Sequence, residues 1–172
     1  MVATTGMVSL NVEYAEVIKN KPSRIDPLFL TKSGQCMVSS QVELELGARG
    51  INSTLNSACA SGSDVLGAAL SYIRLGYLDA IIAGGAEAGI NPVSLAVCSR
   101  VGALSKETEA AKASRPFDLQ RTGFVLGEGA GMLVIESLDH ALKRGAPILA
   151  ELAGVGWSFD AFNETAPDAE QQ

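Results

Sequence analysis

The sequence predicts an α/β chain with a mostly parallel sheet covered by helices, and three observations carry that reading. Residues 51–58, "INSTLNSA", alternate as a short strand does. From Ala60 the period lengthens: Val65, Leu66, Ala69, Leu70 and Ile73 recur at helical spacing, and Gly76 closes the run. "LDAIIAGGAEA" then stays apolar over the length of a strand, the pattern of one buried on both faces. Strand, helix and strand within 51–88 form a βαβ crossover, which predicts parallel pairing and a right-handed connection.

The other elements follow from local signals. "GMVSLNVEYAEVI" (6–18) suits a helix, and residues 19–27 read as a basic, proline-punctuated loop. Val38 to Leu46 is helical in pattern, with Gly47 as its stop. Pro92 to Leu104 suits another helix, and Lys106 to Arg115 a polar, helix-prone, exposed excursion. "GFVLGEGAGMLVIES" reads as a strand interrupted by a glycine-rich turn. In "SLDHALKRG" Ser137 suits a cap, Asp139 the first turn, and Lys143, Arg144 and Gly145 the end of a short helix. "PILAELAGVGWS" reads as a last strand, and residues 163–172 as a polar tail.

Composition narrows the function. With 172 residues the chain is long enough for one domain with a sizeable core, and 47% apolar against 19% charged residues predicts extensive burial. A net charge of −6 argues against a nucleic-acid binder, which needs a basic stripe. Cys36, Cys59 and Cys98 form no CxxC pair, and an odd number favours a reduced, cytoplasmic compartment. His140 is the sole histidine, too few for a Cys/His metal site, so no metal is expected. No apolar run reaches membrane-span length, and no signal peptide is visible.

The chemistry concentrates in "NSACASGSD" (56–64). Cys59 lies where strand gives way to helix, so unpaired N–H groups and the positive end of the helix dipole favour its thiolate. A thiolate attacks carbonyl carbons, and those N–H groups suit an oxyanion. A buried structural cysteine satisfies the same residues, and both readings stand on position alone. His140, inside a short amphipathic helix, is a poor general base for Cys59 and reads as a surface or packing residue. "GFVLGEGAG" has no GxGxxG, because Met132 holds the last position, and no Lys-Ser/Thr for a P-loop. Its glycines read as close backbone packing beside a site. No GxSxG is present.

Four ordered stretches together resemble a known family: "NSACASGSD", "DAIIAGGAEAGINPVSLAVCSRVGALS", "ASRPFDLQRTGFVLGEGAGMLVIESLDHALKRG" and "DAFNETAPD". They are similar to β-ketoacyl-acyl-carrier-protein synthases, condensing enzymes of the thiolase fold, from about Gly6 to Asp168. The resemblance implies a decarboxylative Claisen condensation in fatty-acid or polyketide assembly. Cys59 matches the nucleophile, and its backbone N–H half of the oxyanion hole. Arg115, Pro116, Gly123, Phe124, Gly127, Glu128, Gly129 and Gly131 match the segment that shapes the floor of the site. Gly34, Cys98 and Phe124 match substrate-lining positions.

The implied substrates ride on the phosphopantetheine of an acyl carrier protein, and no cofactor is expected. The family pairs as homodimers through the strand before the nucleophile, here about Ser53 to Ser57, and Lys19, Lys21 and Arg24 suit either an acidic carrier or a merely solvated loop. Residues 1–172 correspond to a single partial domain, without the family's first strand and helix and without the later half that carries two catalytic histidines. That half positions the decarboxylating malonyl unit, so acyl acceptance at Cys59 is the step these residues support. A non-catalytic dimerisation or scaffold piece and a thiolase-like coenzyme A enzyme are the rival readings.

Departures from the family's pattern bear on detail. Gly34 stands for a bulky aliphatic residue and Cys98 for a phenylalanine, which predicts a pocket for longer or bulkier acyl chains. Gly102 replaces an arginine, and nothing about carrier contacts is inferred there. Thr122 and Asn163 replace an acid and a histidine, with no consequence assigned.

Overall fold

A computed structural model describes residues 1–4, 15, 17, 19–164 and 166–170. Of the helix expected over 6–18, residues 15 and 17 are helical and the remainder lies outside the described residues. The expected loop at 19–27 is more ordered than its composition suggests, since residues 19 and 20 are helical and Pro22–Arg24 forms a 3-10 turn.

Four strands form one sheet: β1 (Val2–Ala3), β2 (Thr54–Leu55), β3 (Ala80–Glu87) and β4 (Gly129–Glu136), in the order β2-β1-β3-β4. β1 is parallel to both neighbours, with Val2 opposite Thr54 on one side and Gly84 on the other. β3 and β4 are antiparallel, from Ala80 opposite Glu136 to Glu87 opposite Gly129. The sheet is therefore mixed and mostly parallel, as expected. The crossover is parallel too, but β2 and β3 do not pair directly, because β1 lies between them. Two residues show no alternation, so β1 leaves no pattern in the sequence. It is a strand because Met1, Val2, Ala3 and Thr4 are all buried between two ladders.

The helices are α1 (Phe29–Ser33), α2 (Met37–Leu46), α3 (Ser61–Arg74), α4 (Pro92–Arg100), α5 (Ala110–Ala113) and α6 (Leu138–Lys143). α3 buries the stripe its spacing predicts: Val65 and Ala69 pack with Met1, Ala3, Ile81 and Ala83, and Leu66, Tyr72, Ile73 and Ile135 close around them. This is the core, and hydrophobic burial at about 25 cal/mol per Å² is what holds α3 on the sheet. α2 ends at Gly47, as expected. α4 stops at Arg100 rather than Leu104, because Gly102 at φ +76° turns the chain out of helical geometry. Its start is well made: the buried Asn91 side chain accepts from the N–H groups of Val93 (3.0 Å) and Ser94 (2.9 Å). α5 is the exposed excursion. Ser137 caps α6, accepting from the His140 N–H at 3.3 Å.

The last strand expected at 147–158 is not one. These residues pair with no strand among the described residues; they cross α3 instead. Arg74 donates to the Ala153 carbonyl (2.6 Å), Val155 and Trp157 lie over Gly67, and the Trp157 indole N–H reaches Asp64. The segment thus runs from the C-terminal to the N-terminal part of α3, on apolar residues that a strand would also use. Its composition is strand-like, but a ladder requires a neighbour. No helix among the described residues is long and apolar enough to cross a membrane.

Candidate active site

The topology gathers the chemistry-bearing turns at one edge of the sheet. Cys59 follows the C-terminal end of β2, the loop 88–91 follows the C-terminal end of β3, and the glycine-rich turn enters β4 opposite Glu87. In α/β sheets this is the edge where loops build sites. Glu128 ties two of these turns together, its carboxylate accepting from the Ile90 N–H at 2.9 Å.

Cys59 is exposed in a 3-10 turn (Ala58–Ala60) immediately before α3. The turn is closely bonded. Asn56 accepts from the Ala58 N–H (3.1 Å), and Ser61 accepts from the Ser57 N–H (2.8 Å) and donates to the Ala58 carbonyl (2.6 Å). Ala58 sits at φ +53°, a left-handed conformation uncommon outside glycine. The turn runs directly into α3, with the Ser61 N–H donating to the Ala58 carbonyl and the Ala60 N–H to the Ser57 carbonyl at 3.3 Å.

Phe124 is half exposed and anchored by its backbone, its N–H donating to Ala103 and its carbonyl accepting from Ser105, both at 2.9 Å. The Ala103 N–H donates to the Cys98 carbonyl at 3.0 Å, so Cys98 and Phe124 are joined through one residue. Gly34 ends α1, and its backbone bonds stay local, to Leu30 and Met37. The expectation that the motif's glycines are tightly packed holds at one position only. A Cβ on Gly123, at φ +145°, would come within 2.4 Å of the Leu104 backbone, whereas one on Gly127, Gly129 or Gly131 would meet nothing within 4 Å among the described residues. At those three the described residues leave the backbone uncrowded. Arg115 braces the excursion, pairing with Glu107 at 3.2 Å. The Glu107 carboxyl lies below its usual range, chiefly through the Glu109 N–H, with Thr108 and Arg115 adding to it.

His140 is at the opposite end of the sheet, as a partner of Glu136 at 2.8 Å. The Arg144 guanidinium first, then His140, holds the Glu136 carboxyl at about 2. A cavity of about 330 Å³ also opens away from Cys59, between α2 and the sheet, beside Met1, Ser39, Val42, Glu43 and Ile82. It contains none of the candidate residues. The sequence reading overlooked Asp64, whose carboxylate accepts from the Ser57 hydroxyl beside the Cys59 turn, and Trp157, whose indole N–H donates to Asp64. An acidic residue in the first turn of a helix is a signal for the former; nothing local marks the latter.

Residues 2–141 match the family described as "Beta-ketoacyl synthase, N-terminal domain". The chain is 44% identical over 151 residues to a 3-oxoacyl-[acyl-carrier-protein] synthase homolog of Saccharomyces cerevisiae, covering 88% of this chain and 33% of the relative. It is 41% identical over 165 residues to 3-oxoacyl-[acyl-carrier-protein] synthase 2 of Staphylococcus aureus, covering 96% and 41%. Among solved structures it superposes on the ishigamide ketosynthase/chain length factor with a TM-score of 0.85 and 36% identity, over 98% of this chain and 41% of that one. A type II polyketide acyl-carrier protein in complex with its ketosynthase gives 0.75 and 34%, over 85% and 38%. The chain thus spans well under half the length of these relatives. Its mixed, mostly parallel sheet with covering helices is that of the thiolase-like ketosynthases, and the chain belongs to the β-ketoacyl synthase family.

Proposed function

We propose that the protein is an acyltransferase of the 3-oxoacyl-[acyl-carrier-protein] synthase type, with Cys59 as the acyl-accepting nucleophile. The observation that carries this is the exposed thiol in a bonded turn ahead of α3, at the sheet edge shared with the glycine-rich turn. The Cys59 thiolate attacks the thioester carbonyl of an acylated carrier protein. The carrier's C–S bond breaks, its phosphopantetheine sulfur leaves as a thiolate that takes up from solvent the proton Cys59 had shed, and the acyl group remains on Sγ. Condensation, in which a malonyl thioester loses CO₂ and its carbanion attacks the acyl carbonyl to release the Cys59 thiolate, draws on the family's histidine-bearing half, so acyl acceptance is the step assigned to residues 1–172. His140, engaged with Glu136 at the opposite end of the sheet, takes no part in either step.

Two partners belong to the same reading. The acyl carrier protein is the donor, with Lys19, Lys21 and Arg24 exposed on one short stretch as candidate contacts. A second copy is the other: β2 is an edge strand among the described residues, and strand pairing across that edge would use about Ser53 to Ser57.

The test is acyl transfer from acyl-carrier protein and acyl-coenzyme A, read by intact-protein mass. Wild type and the C36S and C98S variants should gain one acyl group from the carrier, and C59S none. A wild-type protein that stays unmodified supports the scaffold reading, and a preference for coenzyme A thioesters supports the thiolase-like one.

A further inference from the structure

We propose that Asp64 is a positioning residue for Cys59, a reading that rests on Cys59 being the acyl acceptor. Its two carboxylate oxygens hold two different parts of the chain. Oδ2 accepts from the Ser57 hydroxyl, two residues before the nucleophile, and Oδ1 accepts from the Trp157 indole N–H at 2.8 Å. The other bonds we describe in the turn join residues 56–61 to one another. Asp64 connects the turn to α3 and, through Trp157, to a segment 93 residues along the chain.

Ala58 makes such a tie necessary. A left-handed alanine persists only where its surroundings over-determine it, and it sits directly before Cys59. Its N–H is held by Asn56 on the same exposed segment, and its carbonyl by Ser61, the buried first residue of α3. Asp64 is half-buried on α3, whose next residue, Val65, is fully buried in the core. Anchoring Ser57 to Asp64 therefore adds a second tie to the rigid core beside the Ser61 bonds, and this one continues to Trp157. Acyl transfer needs Sγ and the oxyanion donors in fixed relation, whereas alkylation by a small reagent needs only an exposed thiol.

The experiment compares two rates at Cys59 in the intact protein: acylation by acyl-carrier protein and alkylation by iodoacetamide. D64A should slow acylation by about tenfold or more and alter alkylation by no more than about twofold. D64N retains one acceptor oxygen and should recover part of the acylation rate. W157F, which removes the N–H and leaves an aromatic ring over Gly67, should slow acylation by about threefold. S57A combined with D64A should be no slower than D64A alone, because D64A has already removed the Ser57–Asp64 bond that S57A removes.

Acylation by D64A at the wild-type rate overturns the proposal. So does an equal loss in both rates, which indicates general disruption. If D64A fails to fold, S57A and W157F decide, and wild-type acylation in both sinks it. A wild-type protein that is never acylated removes the nucleophile reading itself, and this one with it.

Discussion

The indole ring of Trp157 lies so close over Gly67 that a methyl group on Gly67 would come within 2.4 Å of its Cζ2 atom. Glycine in the middle of α3 is thus a packing requirement, even though it weakens the helix. Alanine would favour the helix by about 1 kcal/mol, while displacing the ring and Val155 costs about 1–3 kcal/mol. G67A should therefore lower the thermal midpoint. Trp157 is the sole tryptophan, so its emission should shift to the red as it leaves α3. An unchanged spectrum with a raised midpoint would contradict this packing.

Adjacent glycines in β3 should respond very differently. A Cβ on Gly84 would come within 2.0 Å of the Gly131 carbonyl oxygen and 2.8 Å of the Met132 Cα, both backbone atoms of the paired strand. On Gly85 the nearest atoms are in Ala3, at 3.6 and 3.7 Å, ordinary contact distances. G84A should cost about 3 kcal/mol or more in urea unfolding, by forcing β3 from β4, and G85A less than about 1 kcal/mol.

Acid sensitivity should trace to Glu136. Its carboxyl sits at about 2, from an ordinary 4.5, because Arg144 and secondarily His140 favour the ionised form. A group with a lowered folded-state pKa contributes stability that is fully present above its unfolded value and lost as pH falls through the folded one. The urea midpoint of the wild type should decline from about pH 4.5 towards about pH 2. E136Q should start lower at neutral pH and lose most of that slope.

The acyl-chain preference should depend on Cys98. It is half-buried on α4 and linked through Ala103 to Phe124. C98F adds a ring where the proposed pocket is wide. It should reduce acylation of Cys59 by long-chain thioesters about tenfold and leave short chains within about threefold. Gly34 is a poorer probe, because a Cβ there already lies 3.1 Å from the Leu30 carbonyl. An unaltered long-to-short ratio in C98F would remove Cys98 from the pocket.

Much of this was readable residue by residue. The stripe Val65, Leu66, Ala69, Leu70, Ile73 specifies α3, because a helix repeats every 3.6 residues and one face must be buried. The stop at Gly47 and the cap at Ser137 are local chemistry, and "NSACASGSD" places a thiol at the mouth of a helix whatever surrounds it. Where the reading failed, the deciding partner was remote. β1 is a strand because of two ladders, one about 50 residues away and one about 80. Residues 147–158 have strand composition and no ladder, so they cross α3 instead. Gly127, Gly129 and Gly131 look like packing glycines in sequence, yet a Cβ on any of them would meet nothing within 4 Å among the described residues.

By itself, then, the sequence determined the periodic elements, the family motifs and the identity of the candidate nucleophile, because each depends on residues within a few turns of one another. The tertiary structure alone decided that β1 divides the crossover, that the cavity opens away from the thiol, and that Asp64 joins Ser57 to Trp157. Those relationships depend on where distant segments meet, and local period and propensity carry no term for that.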